Sequence, residues 1–498
     1  MAGSSVVTGI WALLGHRYFR ENKVATCKVT TCKYSDLMPT EIIDREREVE
    51  QLRELAARPP ALVILRGRRR VGKTFLLRVG LVGERIVHLQ AEEHPRVLQL
   101  EAFARECARL LPGMPPLAFA NWGEAFEFIE NQALSVGPLV VILDELQYLA
   151  ASDTGLISTI QRVWDSWDTH AVPVMLVLCG SALSFMSGLL DASKPTYGRS
   201  VYRPLLLPLT YRDSAAFAPG ETPPDQLVER FAVLGGTPQY QRWAGSWPLA
   251  EAITRTILPS DGPLHTDPEH LIREEEGIRE PGPYFGVLQS LAQGQSATSA
   301  VARRLGIKQQ LASQFLSRLE QLGYIARVEP LEPGGNGAAR SYWKISDPYF
   351  RFWFRYVFPN RSRLARGRIN EVAEEIARDL ATFVGPVFED CCRKWVGRYS
   401  PLGENALEVG SWWSRRHDIE IDVVTLDKRG YGLLGSCTWW TRQVGENVLH
   451  DLYHAKAALG AKAAHARLAI FSRAGVTERL RARAAHEDVV LINVDDLF

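Results

Sequence analysis

The 498-residue chain has no apolar run approaching the roughly 20 residues that a membrane-spanning helix requires. Residues 9–14 are apolar, but they are too short and too poorly flanked for a signal peptide. Cysteine is scarce. Seven residues spread over this length make no disulfide framework, which excludes the small secreted scaffolds and fits a reducing cytoplasm. Cys27 and Cys32 stand near each other, yet no matching Cys or His pair follows, so the zinc spacings are not met. Nor is there an overall excess of one charge. The 58 Lys and Arg against 57 Asp and Glu leave a formal net of +1. Hydrophobic residues at 46% and charged residues at 23% are ordinary for globular proteins, and the length suits about three domains.

Against this background one stretch stands out. Residues 61–77 read ALVILRGRRRVGKTFLL, an apolar strand followed by G-x-x-x-x-G-K-T and a second apolar segment. Backbone N–H groups must close on phosphate oxygens without a Cβ in the way, which Gly67 and Gly72 allow. The expected phosphate-binding set is Gly67, Arg68, Arg69, Arg70, Val71, Gly72, Lys73, Thr74 and Phe75. Lys73 is placed to reach the terminal phosphates, Thr74 to ligate Mg²⁺, and the following helix to aim its N–H groups at the anion.

Further along, residues 139–145 read LVVILDE, a buried strand ending in two acids. Asp144 is expected to hold the metal's water shell and Glu145 to act as general base, the plain alternative being two caps of a strand-to-helix turn. Residues 173–179 form another apolar strand ending in Gly180 and Ser181. Ser181 reads either as a sensor of the terminal phosphate or as a simple helix N-cap. Arg199, just before a fifth strand expected at 203–209, reads either as a charge-stabilising catalytic arginine or as a surface turn. Strands alternating with helices predict a parallel, helix-covered sheet. Helical pieces over 227–257 contain a Gly-Gly-Thr-Pro break at 235–238 and suggest a lid. Upstream, Asp44 is the expected N-cap of a helix carrying Val49, Leu52 and Leu55.

The ordered set GRRRVGKT, VVILDELQYL, LCGS, YGRS and GGTPQY resembles an archaeal-type ATPase family related to the signal-transduction ATPases with numerous domains, over residues 41–260. The resemblance implies an α/β fold of the ASCE P-loop class, with ATP and Mg²⁺ as cofactors, a sensor at Ser181 and Pro238 of the lid near the nucleotide. The expected organisation is a tail over 1–37, an ATPase core over 38–210 and a helical lid over 211–270. A winged helix-turn-helix with a connecting helix follows over 271–368, with a domain boundary at 281–283.

The winged-helix expectation rests on helices at 284–291, 299–305 and 309–322, with Leu311, Phe315, Leu316, Leu319 and Leu322 facing inward, and a ribbon turning at 334–337. Residues 283–368 carry 13 Lys and Arg against 4 Asp and Glu, a basic footprint suited to DNA phosphates, although many such modules bind proteins instead. The aromatic run at 342–358 has helical spacing at Phe350, Phe354 and Phe358 and reads as a buried connecting helix rather than a base-stacking platform.

Residues 369–498 resemble a restriction-endonuclease-like domain. That likeness places metal ligands at Glu389 and Asp422 and its E-x-K pair at Ser436 and Thr438. A hydroxyl does not replace a charged ligand, nor Thr a lysine, so this nuclease-like domain is expected to be inactive unless Glu446 or His450 substitutes by migration. The expected function is therefore a cytoplasmic ATP-hydrolysing switch or motor acting on DNA or a partner protein, with self-association possible. An ATP-dependent defence-type nuclease and an ATP-bound scaffold without turnover are the alternatives.

Overall fold

Strands β1 (Ala61–Gly67), β2 (Ile86–Gln90), β3 (Leu139–Asp144), β4 (Val174–Gly180) and β5 (Leu205–Leu206) make one sheet in the order β2-β3-β4-β1-β5, with every pair parallel. The computed structural model describes residues 42–111, 117–191, 198–275, 278–334 and 341–498. The expected tail, Cys27, Cys32, Tyr197 and residues 335–337 of the ribbon's turn lie outside the described residues.

The central strands are apolar throughout because both faces are covered, as parallel sheets require. Leu62, Ile64, Val141, Leu143, Leu176 and Leu178 point to a core shared with helices Trp122–Val136 and Leu156–Thr169. Their neighbours Val63, Leu65, Val140, Ile142, Met175 and Val177 point to the other face, under helices Glu46–Ala57 and Lys73–Gly80.

Two expectations in this half need correction. The fifth strand pairs over only two residues, because Pro204 and Pro208 on either side supply no ladder N–H. Asp44 does not cap the first helix. Arg45 holds the N-cap position without a side-chain cap, while Asp44 has φ 51° and pairs with Arg398 at 3.3 Å.

Residues 211–498 share a second, continuous core running from Tyr211 to Leu497. It takes in helices Pro224–Leu234 and Pro238–Ala244, then Pro281–Ala292, Thr298–Leu305 and Gln309–Gln321. A two-stranded antiparallel ribbon, β6 (Ile325–Val328) and β7 (Tyr342–Ile345), completes this part. Residues 281–283 form the first turn of a helix rather than a linker, since proline is tolerated where no intrahelical N–H is needed. Leu311 is exposed, and Ala312 takes its inward place beside Leu316 and Leu319. The aromatic run is buried, as Phe350, Trp353, Phe354 and Val357 are all closed to solvent. Its helix Pro348–Phe352 widens into a π turn over Trp353–Val357.

The C-terminal sheet has the order β12-β11-β10-β9-β8, from β8 (Glu408–Trp413), β9 (Glu420–Asp427), β10 (Gly430–Thr438), β11 (Arg467–Ser472) and β12 (Val489–Asn493). Its first three strands are antiparallel and its last three parallel. One face, with Val423, Leu433 and Phe471, packs on the 30-residue helix Ile369–Arg398. The other, with Val424, Leu434 and Ile470, packs on helices Glu446–Leu459 and Glu478–His486.

Candidate active site

The loop between β1 and helix Lys73–Gly80 turns through two left-handed residues, Arg70 at φ 68° and Gly72 at φ 97°. Glycine takes the second of these conformations without strain, and that leaves the N-terminal end of the helix open. Lys73 is only 5% exposed, and its Nζ donates to the carbonyls of Gly67 at 2.8 Å and Arg68 at 3.1 Å. Among the described residues it has no carboxylate within ion-pair distance. A buried ammonium held only by carbonyl oxygens is an incomplete arrangement that an anion completes, so the residues present fit a triphosphate. Val71 packs into the core, whereas Phe75 is exposed on the following helix.

Asp144, at the carboxyl end of β3, is 1% exposed and accepts a hydrogen bond from Thr74 Oγ1 at 2.9 Å. Burial works against its ionisation. Polar contacts from His88, Cys179 and Thr74, with the charge of Lys73, outweigh that and hold its pKa down at about 2. The His88 contact is electrostatic rather than a short hydrogen bond, with Nε2 at 3.7 Å from Oδ2. An ionised carboxylate beside a threonine hydroxyl at a phosphate loop is a donor set suited to Mg²⁺.

Glu145 follows in a left-handed conformation, φ 54° and ψ 48°, which is rare outside glycine and recurs where a side chain must be aimed. Its Oε2 accepts from Ser181 Oγ at 2.6 Å, from the Ser181 amide at 3.1 Å and from Gln147 Nε2 at 2.6 Å. Ser181 therefore serves Glu145 and caps nothing, and Ala182 holds the N-cap position of the next helix. The reading of Glu145 as a plain turn cap fails too, because its side chain makes no cap bond.

The three arginines between the loop glycines turn away from the sheet. Arg68 lies between the rings of Tyr324 and Phe350, 4.4 and 4.7 Å from their centroids, and pairs with Asp347 at 3.3 Å. Arg69 pairs with Glu274 at 2.7 Å and donates to Tyr148 Oη at 2.5 Å. Arg70 pairs with Asp267 and covers the Trp243 ring. Pro238 opens the helix that carries Trp243. Arg199 is directed at helix Leu156–Thr169, where it makes a bidentate pair with Asp165 at 2.6 and 3.0 Å.

Residues 42–240 match the model of an ATPase domain found predominantly in Archaea. The chain carries an archaeal-type ATPase domain. Residues 353–448, beyond the ATPase domain, match a family of archaeal and bacterial proteins of unknown function. An uncharacterized protein of Methanocaldococcus jannaschii is 26% identical over 390 residues, 77% of this chain and 84% of its own. Among solved structures, a Walker-type ATPase of Pyrococcus abyssi is 22% identical, spanning 64% of this chain and 99% of that one, with a TM-score of 0.48. The ORC2 protein of Aeropyrum pernix is 13% identical over 69% of this chain and 97% of that one, with a TM-score of 0.42. No helix among the described residues is long and apolar enough to cross a membrane.

Outside the ATPase domain, much of the basic charge at 283–368 is already engaged. Arg355 pairs with Asp379, Arg363 with Glu371 and Glu375, Arg361 with Glu269 and Lys344 with Asp390. In the C-terminal part Glu389 and Asp422 converge around Arg393, which donates to the Asp422 carbonyl at 2.5 Å and to Asp390 at 2.6 Å and lies 3.7 Å from Glu389. Burial, and then the Asp422 charge, push Glu389 above the usual carboxylate range, and burial raises Asp422 as well. Asp422 also accepts from the Cys437 amide at 2.7 Å and from Ser436 at 3.4 Å. Thr438 donates to the Phe471 carbonyl. Glu446 is turned toward Arg479 and Arg483, and His450 is exposed, so neither joins Glu389 and Asp422.

The sequence reading missed His88, Gln147 and Asp347. Gln147 had a signal in its position two residues after Glu145. Asp347 is 279 residues from Arg68 and had none.

Proposed function

We propose that this chain is a cytoplasmic ATP-hydrolysing switch whose nucleotide state passes from the phosphate loop to the lid and to the winged-helix part with its connecting helix, residues 271–368. The observation that carries this reading is the engagement of Arg68, Arg69 and Arg70 by Asp347, Glu274 and Asp267. A loop that closes on phosphates cannot shift its backbone without moving those three guanidinium groups, and with them the elements they hold.

At the site, the loop amides and Lys73 bind the phosphates while Thr74 and Asp144 hold Mg²⁺, which supplies charge neutralisation and orientation. Glu145 takes the proton of the attacking water, and Ser181 fixes the carboxylate that does so. Pro238 contributes from the lid. Arg199 is the candidate for neutralising the transferring phosphoryl charge. Its pair with Asp165 is partly exposed, and a surface pair of this kind is worth about 1 kcal/mol or less.

The moving module is read as a winged helix that acts on DNA phosphates or a partner protein, with Arg303, Arg304 and Lys308 among its cations outside the ion pairs described above. The C-terminal part is read as a nuclease-like fold that has lost its chemistry. Arg393 and Lys344 supply beside Glu389, Asp390 and Asp422 the positive charge that a divalent ion would otherwise bring.

Two experiments test these readings. Purified protein is expected to release phosphate from ATP with Mg²⁺, and Lys73→Ala is expected to abolish both nucleotide retention and release. Hydrolysis by Lys73→Ala at the parent rate would defeat the switch. In the second, plasmid and single-stranded DNA are expected to remain intact with Mg²⁺ or Mn²⁺. Cleavage that disappears on Asp422→Ala would establish the defence-type nuclease instead.

A further inference from the structure

Oε2 of Glu145 accepts three hydrogen bonds, two from Ser181 and one from Gln147. A carboxylate oxygen offers about two lone-pair sites, so Oε2 is saturated. Among the described residues, Oε1 accepts none. We infer that Gln147 is a positioning residue for the hydrolytic base: its amide holds Oε2 and thereby leaves Oε1 as the single oxygen free to take the proton from water. The inference rests on reading Glu145 as that base.

The orientation of the Gln147 amide follows from its surroundings. Turned over, its carbonyl would face the Glu145 carboxylate, acceptor against acceptor. In the observed orientation Oε1 of Gln147 is buried and has no hydrogen-bond partner among the described residues. It lies against Gly180, where a Cβ would come within 2.7 Å of it, so a side chain at that position would displace the amide. An unpaired buried acceptor is unfavourable, and the fold tolerates it here in exchange for the donor on Glu145.

The same side chain faces a cavity shared with elements beyond the ATPase domain. Gln147 and Tyr148 line a cavity of about 640 Å³ with Arg68, Arg69, Ser181 and Glu274. Tyr148 accepts from Arg69, which pairs with Glu274 beyond the ATPase domain. The short helix Leu146–Ser152 carrying Gln147 is thus tied to Glu274, at the end of helix Asp267–Arg273, through one residue of the phosphate loop.

Steady-state ATP hydrolysis by the full chain tests this, comparing the parent with Glu145→Gln, Gln147→Ala and Gln147→Glu between about pH 5.5 and pH 8, a range bracketing a carboxyl whose pKa is raised by a like charge. Gln147→Ala is expected to lower kcat by about 10- to 100-fold, the usual cost of a misplaced catalytic group, with KM for ATP unchanged. Gln147→Glu is expected to be as slow at high pH, where two carboxylates repel. It recovers toward the parent at low pH, where the new carboxyl is protonated and again donates. Parent-like or faster turnover by Gln147→Ala would overturn the inference, as would a joint loss of ATP binding or a flat ratio of Gln147→Glu to parent across pH. Full activity in Glu145→Gln would instead defeat the reading of Glu145 on which the inference stands.

Discussion

Glu145→Gln will bind ATP as the parent does and hydrolyse it about 10²- to 10⁴-fold more slowly, the range that general-base removal costs. The substitution is close to isosteric, and the surroundings accept it. The three donors on Oε2, from Ser181 and Gln147, meet the new carbonyl oxygen as they met the carboxylate. Nothing about Lys73, Thr74 or the loop amides changes, because Glu145 contacts none of them and Thr74 is held by Asp144. What disappears is the basic oxygen. Nucleotide binding followed by a fluorescent ATP analogue, with single-turnover phosphate release alongside, separates the two effects. Weakened binding in proportion to lost turnover would mean that Glu145 holds metal or structure instead of a proton.

Breaking the Arg68–Asp347 pair will destabilise the protein by about 3–5 kcal/mol, because a charge left alone in a buried site is not compensated by solvent. The Arg68 and Asp347 side chains are 12% and 4% exposed. Asp347 has a second task, accepting from the amides of Tyr349 at 2.9 Å and Phe350 at 3.3 Å at the start of the aromatic helix, so Asp347→Ala also forfeits about 1 kcal/mol of capping. Asp347→Asn keeps the cap acceptor and loses only the charge, which separates the contributions. Arg68→Met retains an apolar stem between Tyr324 and Phe350 and should cost less than Asp347→Ala. Chemical denaturation of the single and double variants gives the coupling energy, expected to exceed 1 kcal/mol for a contacting pair. Additive losses would show that the two side chains act independently and that the loop is not fastened to residues 347–354.

These expectations draw unequally on sequence and structure. Four strands of the ATPase domain, the phosphate loop and the two acids after β3 were legible in the chain, because each is a local pattern. An apolar run of strand length, a glycine at a fixed offset and a charge at a strand end all lie within a few residues of one another. The fifth strand was misjudged because prolines at 204 and 208 weigh more than the leucines between them. Helix Glu478–His486 and strand β12 escaped notice, since the first has four charged residues in nine and only one large apolar side chain, and the second is a short edge.

The sequence by itself determined the ATPase domain, with its phosphate loop and the two acids that follow β3. The tertiary structure alone decided where the charges go. Composition marked 283–368 as basic, yet it could not reveal that Arg355, Arg361 and Arg363 are neutralised by Asp379, Glu269, Glu371 and Glu375. Likewise the three arginines of the phosphate loop read as ligand-side residues, whereas they face Asp347, Glu274 and Asp267 on other elements. The reason is physical. Apolar periodicity is written into neighbouring residues because one helix or strand face must be buried together, while an ion pair needs only two side chains to meet in space and leaves no trace in the chain between them.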